Sequence, residues 1–453
     1  MKDIKELDDG RVVYHNGTLI SNVSEYGNFK GQLGILKEIL KDNGQTWSKI
    51  FFPEFALRKY EFIDELKDLI DLTSHASTMF GGFLSRLNDY NLNFLVDIQA
   101  GMLSYRLEGG KVSNNIEKYI EFCKSTNTFL CNAVTHPHID RRRSLQYNQA
   151  LKIVAKSDNG ITVSGARLVS TMAPICDEVI VHSIGSWREE DNNHIFSFAV
   201  PLNSKGITIH VRRNRDQDSS PLNEFIELDA TIVFEDVFVP TDRIFFFQDA
   251  DLANYLNEKG LPRAFLISAV HSLVNVRLMY SICYDLFDIH GTIDHYENRK
   301  SLGLISHKIN IIQSLILTSI EDAEKHPILN SYVPENSYIL SAHIELTESY
   351  KLLCNILSER FGASILLGLD PDEFDSAEIR KQVQKIFTKS TEASTYKSKL
   401  IKMAYSVSNG ELGRRKLIFA ANAHGAKNSI LQSFGHKNSQ YEAEMLKHLI
   451  SKI

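Results

Sequence analysis

Two short stretches of this chain gather side chains that can do chemistry. In the first, Arg86 and Tyr90 stand four residues apart. On a helix that spacing puts both on one face, where a cation and a phenol hydroxyl can converge on one ligand. Arg86 can equally pair with Asp89, which leaves Tyr90 as a core ring. In the second, the apolar run Phe129 to Val134 stops at Thr135-His136-Pro137-His138, and Asp140 and Arg141 follow directly. Imidazoles change charge near neutral pH, and a proline stiffens the loop that carries them. A polar loop of this kind suits a ligand, and it would serve as well for a plain domain junction.

The elements around these stretches bound what they can do. A chain of 453 residues calls for two or three domains. With 43% hydrophobic and 23% charged residues it is of the globular class. A net charge of -6 gives no electrostatic footprint for nucleic acid. The five cysteines form no CxxC pair. That favours reduced thiols in a cytoplasm and argues against a zinc or iron–sulfur site of local spacing. Residues Met1 to Gly10 carry charges of both signs and no apolar core, so no signal peptide is expected. The apolar stretches Ala264 to Val274 and Ile309 to Ile320 are short for a bilayer span and read as core helices.

In chain order, Asn16-Gly17 between extended pieces predicts a hairpin. Helical spacing follows in Gly31 to Lys41, Tyr60 to Leu72, Asn91 to Tyr105 and Asn114 to Lys124, with Gly81-Gly82 as a break. From Leu151 the period becomes two. Ile153-Val154, Ile161 to Thr171, Glu178 to Ser183, His194 to Val200, Gly206 to Val211 and Ile226 to Phe234 predict six strands of an antiparallel β domain that ends near Arg243. No helices alternate with them, so a doubly wound sheet is not expected. GxGxxG after a strand and GxxxxGK[ST] are both absent from the sequence, so nothing is built for NAD(P)H or a nucleoside triphosphate. Leu261 to Phe287, Ser301 to Lys325, Pro334 to Leu357 and Ala377 to Ser406 predict a helical bundle. Arg360 to Phe374 reads as a loop, and Gly410 to Lys416 and Asn422 to Gly425 as glycine-containing breaks. The expected domains are 1–145 (mainly α), 146–248 (β) and 249–453 (helical bundle).

This α–β–α order resembles the acyl-CoA dehydrogenase-type architecture, an α+β fold. Within it, several motifs resemble one family: the oxygenase component of two-component, reduced-flavin-dependent aromatic monooxygenases, typified by 4-hydroxyphenylacetate 3-hydroxylase. Leu7 to Gly17 is similar to the family's opening, and Phe80 to Tyr90 to its Gly-Arg-Ser-Pro-Asp-Tyr motif. His136-Pro-His-Ile-Asp-Arg141 resembles its Asn-Pro-x-x-Asp-Arg, and Gly165 to Pro174 and Thr231 to Pro240 match strongly. Glu411 to Arg415 and Asn422 to Gly425 resemble its C-terminal flavin segment.

The resemblance implies that FADH2, made by a separate NAD(P)H-flavin reductase, reacts with O2 to give a flavin hydroperoxide, which oxygenates a phenol-, indole- or arylamine-like substrate. It implies that Arg86 and Tyr90 reach substrate and flavin, and that Asn132, Ala133, Val134, His138, Ile139, Asp140 and Arg141 line the flavin. Thr171 would bond the isoalloxazine, Ser183 would lie by the substrate loop, and Asn422, Ala423, His424 and Gly425 would make the last flavin contact. A cytoplasmic homotetramer is the implied setting. One departure matters: phenol hydroxylases of the family carry a histidine where this chain has Asn132. Asparagine can donate a hydrogen bond but cannot take a proton. Either the substrate is not a simple phenol, or His136 or His138 supplies the base; both are also plausible loop or capping histidines. An acyl-CoA dehydrogenase-like oxidoreductase and a non-catalytic scaffold are the rival readings. The metal-cluster ligands of the related 4-hydroxybutyryl-CoA dehydratases are not recognisable in the sequence.

Overall fold

The computed structural model describes residues 7–34, 88–126, 128–137, 150–213, 222, 226–329, 331–368, 376–387, 391–422 and parts of 430–452. They fall into two compact units. The first holds Met1–Asp218, Leu222–Val274 and Ile320–Glu335; the second holds Ser219–Pro221, Asn275–Ser319 and Asn336–Ile453.

The first unit is built on two sheets. Its strands are β1 (Val12–His15), β2 (Thr18–Ile20), β3 (Leu130–Ala133), β4 (Lys152–Ser157), β5 (Gly160–Thr171), β6 (Glu178–His182), β7 (Phe196–Pro201), β8 (Ile207–Val211), β9 (Asp229–Pro240) and β10 (Ile244–Phe247). One sheet runs β2-β1-β8-β9-β5-β4 and the other β10-β7-β6-β3. The Asn16-Gly17 hairpin forms as predicted, with φ of 54° and 77° at the two turn residues and His15 facing Thr18. Asp158 and Asn159 make the two-residue turn from β4 to β5, with Ser157 opposite Gly160.

Two features depart from the sequence expectation. The sheets are not wholly antiparallel, because β1 pairs parallel to β8 and β3 parallel to β6. Both parallel strands come from outside the period-two region: they are added at the strand edges by the N-terminal hairpin and by the segment that leaves the first helices. The β region also runs past Arg243, because Ile244–Phe247 pairs with β7. Its run of four apolar residues shows no alternation that would reveal a strand.

Period-two alternation sets which face each residue buries. Cys131, Ala133, Val179, Val181, Phe196, Phe198, Ile232 and Phe234 belong to the core between the sheets. Leu130, Ile180 and Ala199 belong to a second core with α1 (Asn88–Leu107), α2 (Asn115–Thr126), α3 (Ala250–Lys259) and the start of α4 (Pro262–Ile289). Fully buried rings such as Phe94 and Phe245 each contribute about 1.5–3 kcal/mol there. Asp97 of α1 caps α4, accepting the backbone N–H of Arg263 (3.3 Å) and of Ala264 (3.0 Å). Arg263 in turn holds Ser331 Oγ at 2.8 Å and the Tyr332 carbonyl beside the short β11–β12 hairpin, Glu324–Lys325 with Tyr332–Val333.

The second unit holds the end of α4 with α5 (Tyr296–Glu321), α6 (Asn336–Leu367), α7 (Ala377–Phe387), α8 (Thr391–Ser408) and α9 (Glu411–Asn422). The stretch read as a loop from Arg360 is helical to Leu367, because Gly362 sits within α6 and its Cβ position opens to free space. Gly413 likewise lies inside α9 instead of breaking it, where a Cβ would meet the Val407 carbonyl at 2.3 Å. Tyr350 donates its hydroxyl near that junction, to the carbonyl oxygens of Val407 (3.0 Å) and Gly413 (3.3 Å). α4 has 28 residues, long and apolar enough by composition to cross a bilayer, but 67% of its most apolar window is buried inside the protein.

Candidate active site

The site is assembled where α1 meets the end of β3. Tyr90 and Asn91 lie in the first turn of α1, both buried. Asn91 Nδ2 donates to the Leu130 carbonyl at 2.7 Å, and Asn132 Nδ2 donates to Asn91 Oδ1 at 2.8 Å. Two amides thus sew helix to strand, and Asn132 is engaged in a neutral hydrogen bond. Tyr90 stacks loosely toward Phe94, with ring centroids 6.4 Å apart. Ala133 is fully buried between the sheets, and Val134 is partly buried against the helical core.

The loop after β3 is fixed to β5 by an antiparallel bridge, Thr135 to Leu168, in which Leu168 N–H donates to the Thr135 carbonyl at 2.8 Å. That register carries Asn132 and Thr171 toward the same end of the pair. Thr171 is buried, and its hydroxyl donates to Asp229 Oδ1 at 3.0 Å; Asp229 also pairs with Arg212 at 3.6 Å. Gly165 belongs to a bulged stretch of β5 with φ of 128°, and a Cβ there would lie 2.7 Å from the Ala150 carbonyl oxygen. Only glycine fits that approach.

Arg167 is the residue that the sequence reading passed over. It is completely buried, lies 5.5 Å over the Phe196 ring, and puts Nη1 3.0 Å from both ring nitrogens of His136 and 3.4 Å from the Val134 carbonyl. Among the described residues, its Nε and Nη2 have no hydrogen-bond partner and no carboxylate offsets its charge. Burial lowers its pKa to about 9. Burial, with Arg167 beside it, lowers His136 to about 3, and the same two causes bring His182 to about 3. Burial also lowers His194, and its Nδ1 lies 3.0 Å from the Leu151 carbonyl. His136 and His182 are therefore neutral near pH 7. Trp187 stands 5.8 Å from His136, centroid to centroid, and its Nε1 has no partner. The signal in the sequence was a lone cation inside a strand of otherwise alternating apolar pattern.

Ser183 is buried where β6 ends. Its hydroxyl donates to the His194 carbonyl at 2.7 Å and accepts the Phe196 N–H at 3.1 Å, so it closes the β6–β7 connection. Asn422 ends α9 in the second unit, exposed, with Nδ2 donating to the Ile418 carbonyl at 2.8 Å. Arg86, His138, Ile139, Asp140, Arg141, Ala423, His424 and Gly425 lie outside the described residues. Among the described residues, no three His, Cys, Asp or Glu side chains group to hold a metal.

The mixed α+β fold, with central sheets and a C-terminal helical region, is shared with solved structures of known proteins. A crystal structure of HpaB, the oxygenase component of 4-hydroxyphenylacetate 3-monooxygenase, complexed with FAD and 4-hydroxyphenylacetate, superposes with a TM-score of 0.87 at 15% identity, covering 100% of this chain and 99% of that one. An archaeal 4-hydroxybutyryl-CoA dehydratase from N. maritimus shares the fold with a TM-score of 0.83 at 15% identity, over 99% of this chain and 94% of that one. The family model for the N-terminal part of 4-hydroxyphenylacetate 3-hydroxylase matches residues 3–246, and that for its C-terminal part matches 258–451. The chain belongs to this family of flavin-dependent monooxygenases. Among curated relatives, the Pyoverdin chromophore biosynthetic protein PvcC of Pseudomonas aeruginosa is 21% identical over 93% of this chain and 88% of its own length. The 4-hydroxyphenylacetate 3-monooxygenase oxygenase component of Escherichia coli is 21% identical over 94% of this chain and 86% of its own.

Proposed function

We propose that this chain is an oxygenase component that takes FADH2 from a separate NAD(P)H-flavin reductase and inserts one atom of O2 into an aromatic substrate that is not a simple phenol. The full-length family match supports the reaction class. The observation that carries the choice of substrate is Asn132, held by Asn91 as a neutral amide where a phenol-activating base would stand. An electron-rich ring or amine that needs no deprotonation, such as an indole or arylamine, fits such a wall.

The donor set fits a flavin. Arg167 Nε and Nη2 and Trp187 Nε1 are donors without acceptors among the described residues, and a flavin's pyrimidine edge brings acceptors. When bound, the reduced flavin supplies the electrons that activate O2. The residues of the chain do the rest. The end of β3, Asn132 to Val134, would line the ring, and Thr171 would face its edge. By the family resemblance, His138 to Arg141 are proposed as further cofactor contacts. Tyr90, with Arg86 four residues before it in the sequence, would orient the substrate. The buried aromatic and aliphatic surroundings keep water from the reacting atoms. A homotetramer is the proposed assembly. The test is turnover of NADH, FAD, O2 and any flavin reductase with a panel of phenols, indoles and arylamines. Products from indoles or arylamines and none from simple phenols support the reading; turnover confined to phenols sinks the substrate assignment.

A further inference from the structure

We propose that a cleft in the second unit, between the turn that joins α4 to α5 and the last turns of α6, is a binding site for an aromatic anion: a planar ring that carries a phosphate or a carboxylate. The site draws on no residue of the flavin reading and stands or falls apart from it.

The cleft has a volume of about 610 Å³, within the roughly 300–1,000 Å³ of small-molecule sites. All of its walls belong to the second unit. The floor is aromatic. The His290 ring stacks on Phe361, with centroids 5.5 Å apart and planes at 27°, and Phe361 packs on Phe287 at 4.8 Å. Tyr296 stands at the rim, 76% exposed, and offers a further ring face. The wall made by the α4–α5 turn is held by the chain itself. Gly291 takes φ of 66°, and the backbone N–H groups of Thr292 and His295 donate to the Phe287 and Thr292 carbonyls at 2.9 and 3.1 Å. Asn298, buried, donates through Nδ2 to the Thr292 carbonyl at 2.9 Å. A preformed wall spares a ligand the cost of ordering it.

Charge selects among the rings that such a floor would take. Arg360 lines the cleft from α6, and Lys397 of α8 lies near enough to His290 for its charge to act there. Neither cation has an ion pair or a hydrogen bond among the described residues. Burial lowers the Lys397 pKa, with no acid opposing it. Two acids nearby are engaged: Glu297, which lines the cleft, pairs with Lys300 at 3.6 Å, and Asp285 of α4 accepts the Tyr396 hydroxyl at 2.6 Å. The backbone N–H groups of Tyr296 and Glu297, which open the 26-residue α5, have no acceptor among the described residues, and the positive end of that helix adds to the field. The His290 Nδ1–H donates to the Leu286 carbonyl at 2.8 Å, which leaves Nε2 toward Ser364, 3.5 Å from its Oγ. Burial, and behind it the Lys397 charge, hold the His290 pKa below 6.5. An anion seated by Arg360 and Lys397 opposes that charge and raises the pKa. Exposed cations alone are simply solvated, and stacked rings alone accept any apolar ring. Cations from α6 and α8 over one aromatic floor ask for both features in one molecule.

The experiment uses the full chain, flavin-free and labelled with 15N-histidine, with the His290 signal assigned by His290→Gln. The charged and titratable groups around that ring are Lys397 on α8, Arg360 on α6, and His295 and Glu297 where α5 begins. The probes are phenyl phosphate and phenylacetate; inorganic phosphate, acetate and benzyl alcohol supply the separate halves. An aromatic anion shifts the His290 signal saturably and raises the His290 pKa, and the separate halves bind at least about 10-fold more weakly. The tighter of the two probes identifies the negative group as phosphate or carboxylate. Arg360→Gln and Lys397→Gln each weaken that probe on the order of 10-fold, as loss of a hydrogen bond to a charged group does, and Arg360→Lys keeps most of the affinity. Both side chains reach solvent, and circular dichroism checks that the variants keep the fold. No saturable shift with either aromatic anion, separate halves that bind as tightly, or unchanged affinity in both charge variants overturns the inference. Because the readout is a histidine of the second unit in flavin-free protein, such a failure leaves the flavin reading untouched.

Discussion

Replacing Asn91 by alanine should loosen the seam that holds the site together. The Asn91 amide is completely buried, and its partners include the Leu130 carbonyl at 2.7 Å and the Asn132 amide at 2.8 Å. Alanine strips both of that bond. Each buried polar group left unsatisfied costs about 1–3 kcal/mol, so the simple sum is about 2–6 kcal/mol. Water entering the small space left behind relieves part of it, which puts the expected loss at about 2–4 kcal/mol. Asn132→Ala removes the donor to Asn91 and should cost at least about 1–2 kcal/mol. The double variant should cost less than the sum by about 1 kcal/mol, because the two amides share one bond. The assay is urea unfolding of the four proteins followed by near-ultraviolet circular dichroism, with hydrogen exchange at β3 amides as the local probe. An Asn91→Ala loss within about 0.5 kcal/mol of zero would refute the claim that the pair fixes α1 on β3.

Other predictions rest on single features. Asp97 is fully buried, and burial raises its pKa from 3.8 to about 7, with Arg263 and the α4 backbone opposing. The folded state therefore holds this proton more tightly than the unfolded chain, and the stability it contributes is complete below pH 3.8 and is lost as pH rises to about 7. Asp97→Asn should flatten that part of the stability–pH curve while losing the charge that balances Arg263, as pH-dependent urea titrations would show. Gly165→Ala should destabilise the first unit by at least about 1–3 kcal/mol, since the new Cβ meets the Ala150 carbonyl in a backbone region closed to side chains; wild-type stability would show that the bulge can relax. Asn132→His should bring phenols into the substrate range or improve them over the wild type, measured as product formed per NADH consumed. If phenol turnover does not change, the missing imidazole is not what sets the substrate.

Much of the architecture was written in local patterns. The Asn16-Gly17 and Asp158-Asn159 turns, the long alternating strand from Ile161 to Thr171 and the amphipathic helix around Ile116 to Cys123 are all set by short-range preferences. The edges were not legible. β10 has no alternation, α6 runs through Gly362, and the parallel pairing of β3 with β6 depends on partners nearly fifty residues apart, Cys131 with Val179 for example. At the candidate site, Tyr90 stood out by its spacing from Arg86, and Asn132 only through the family resemblance. Asn91 did not, because a buried asparagine looks like any other until its partners are known. Arg167 was hidden in the same way: it has no counter-charge among the described residues, and only the packing of β5 beside His136 shows that.

The most direct test of the whole account is a labelling experiment. The protein is supplied with FAD, NADH, a separate flavin reductase and 18O2, together with the aromatic panel, and the products are weighed by mass spectrometry. The account predicts a product bearing one 18O atom, formed only when the reductase is present, from a substrate that needs no phenolic deprotonation. A protein that binds no reduced FAD, or a product whose new oxygen comes from water, would contradict it.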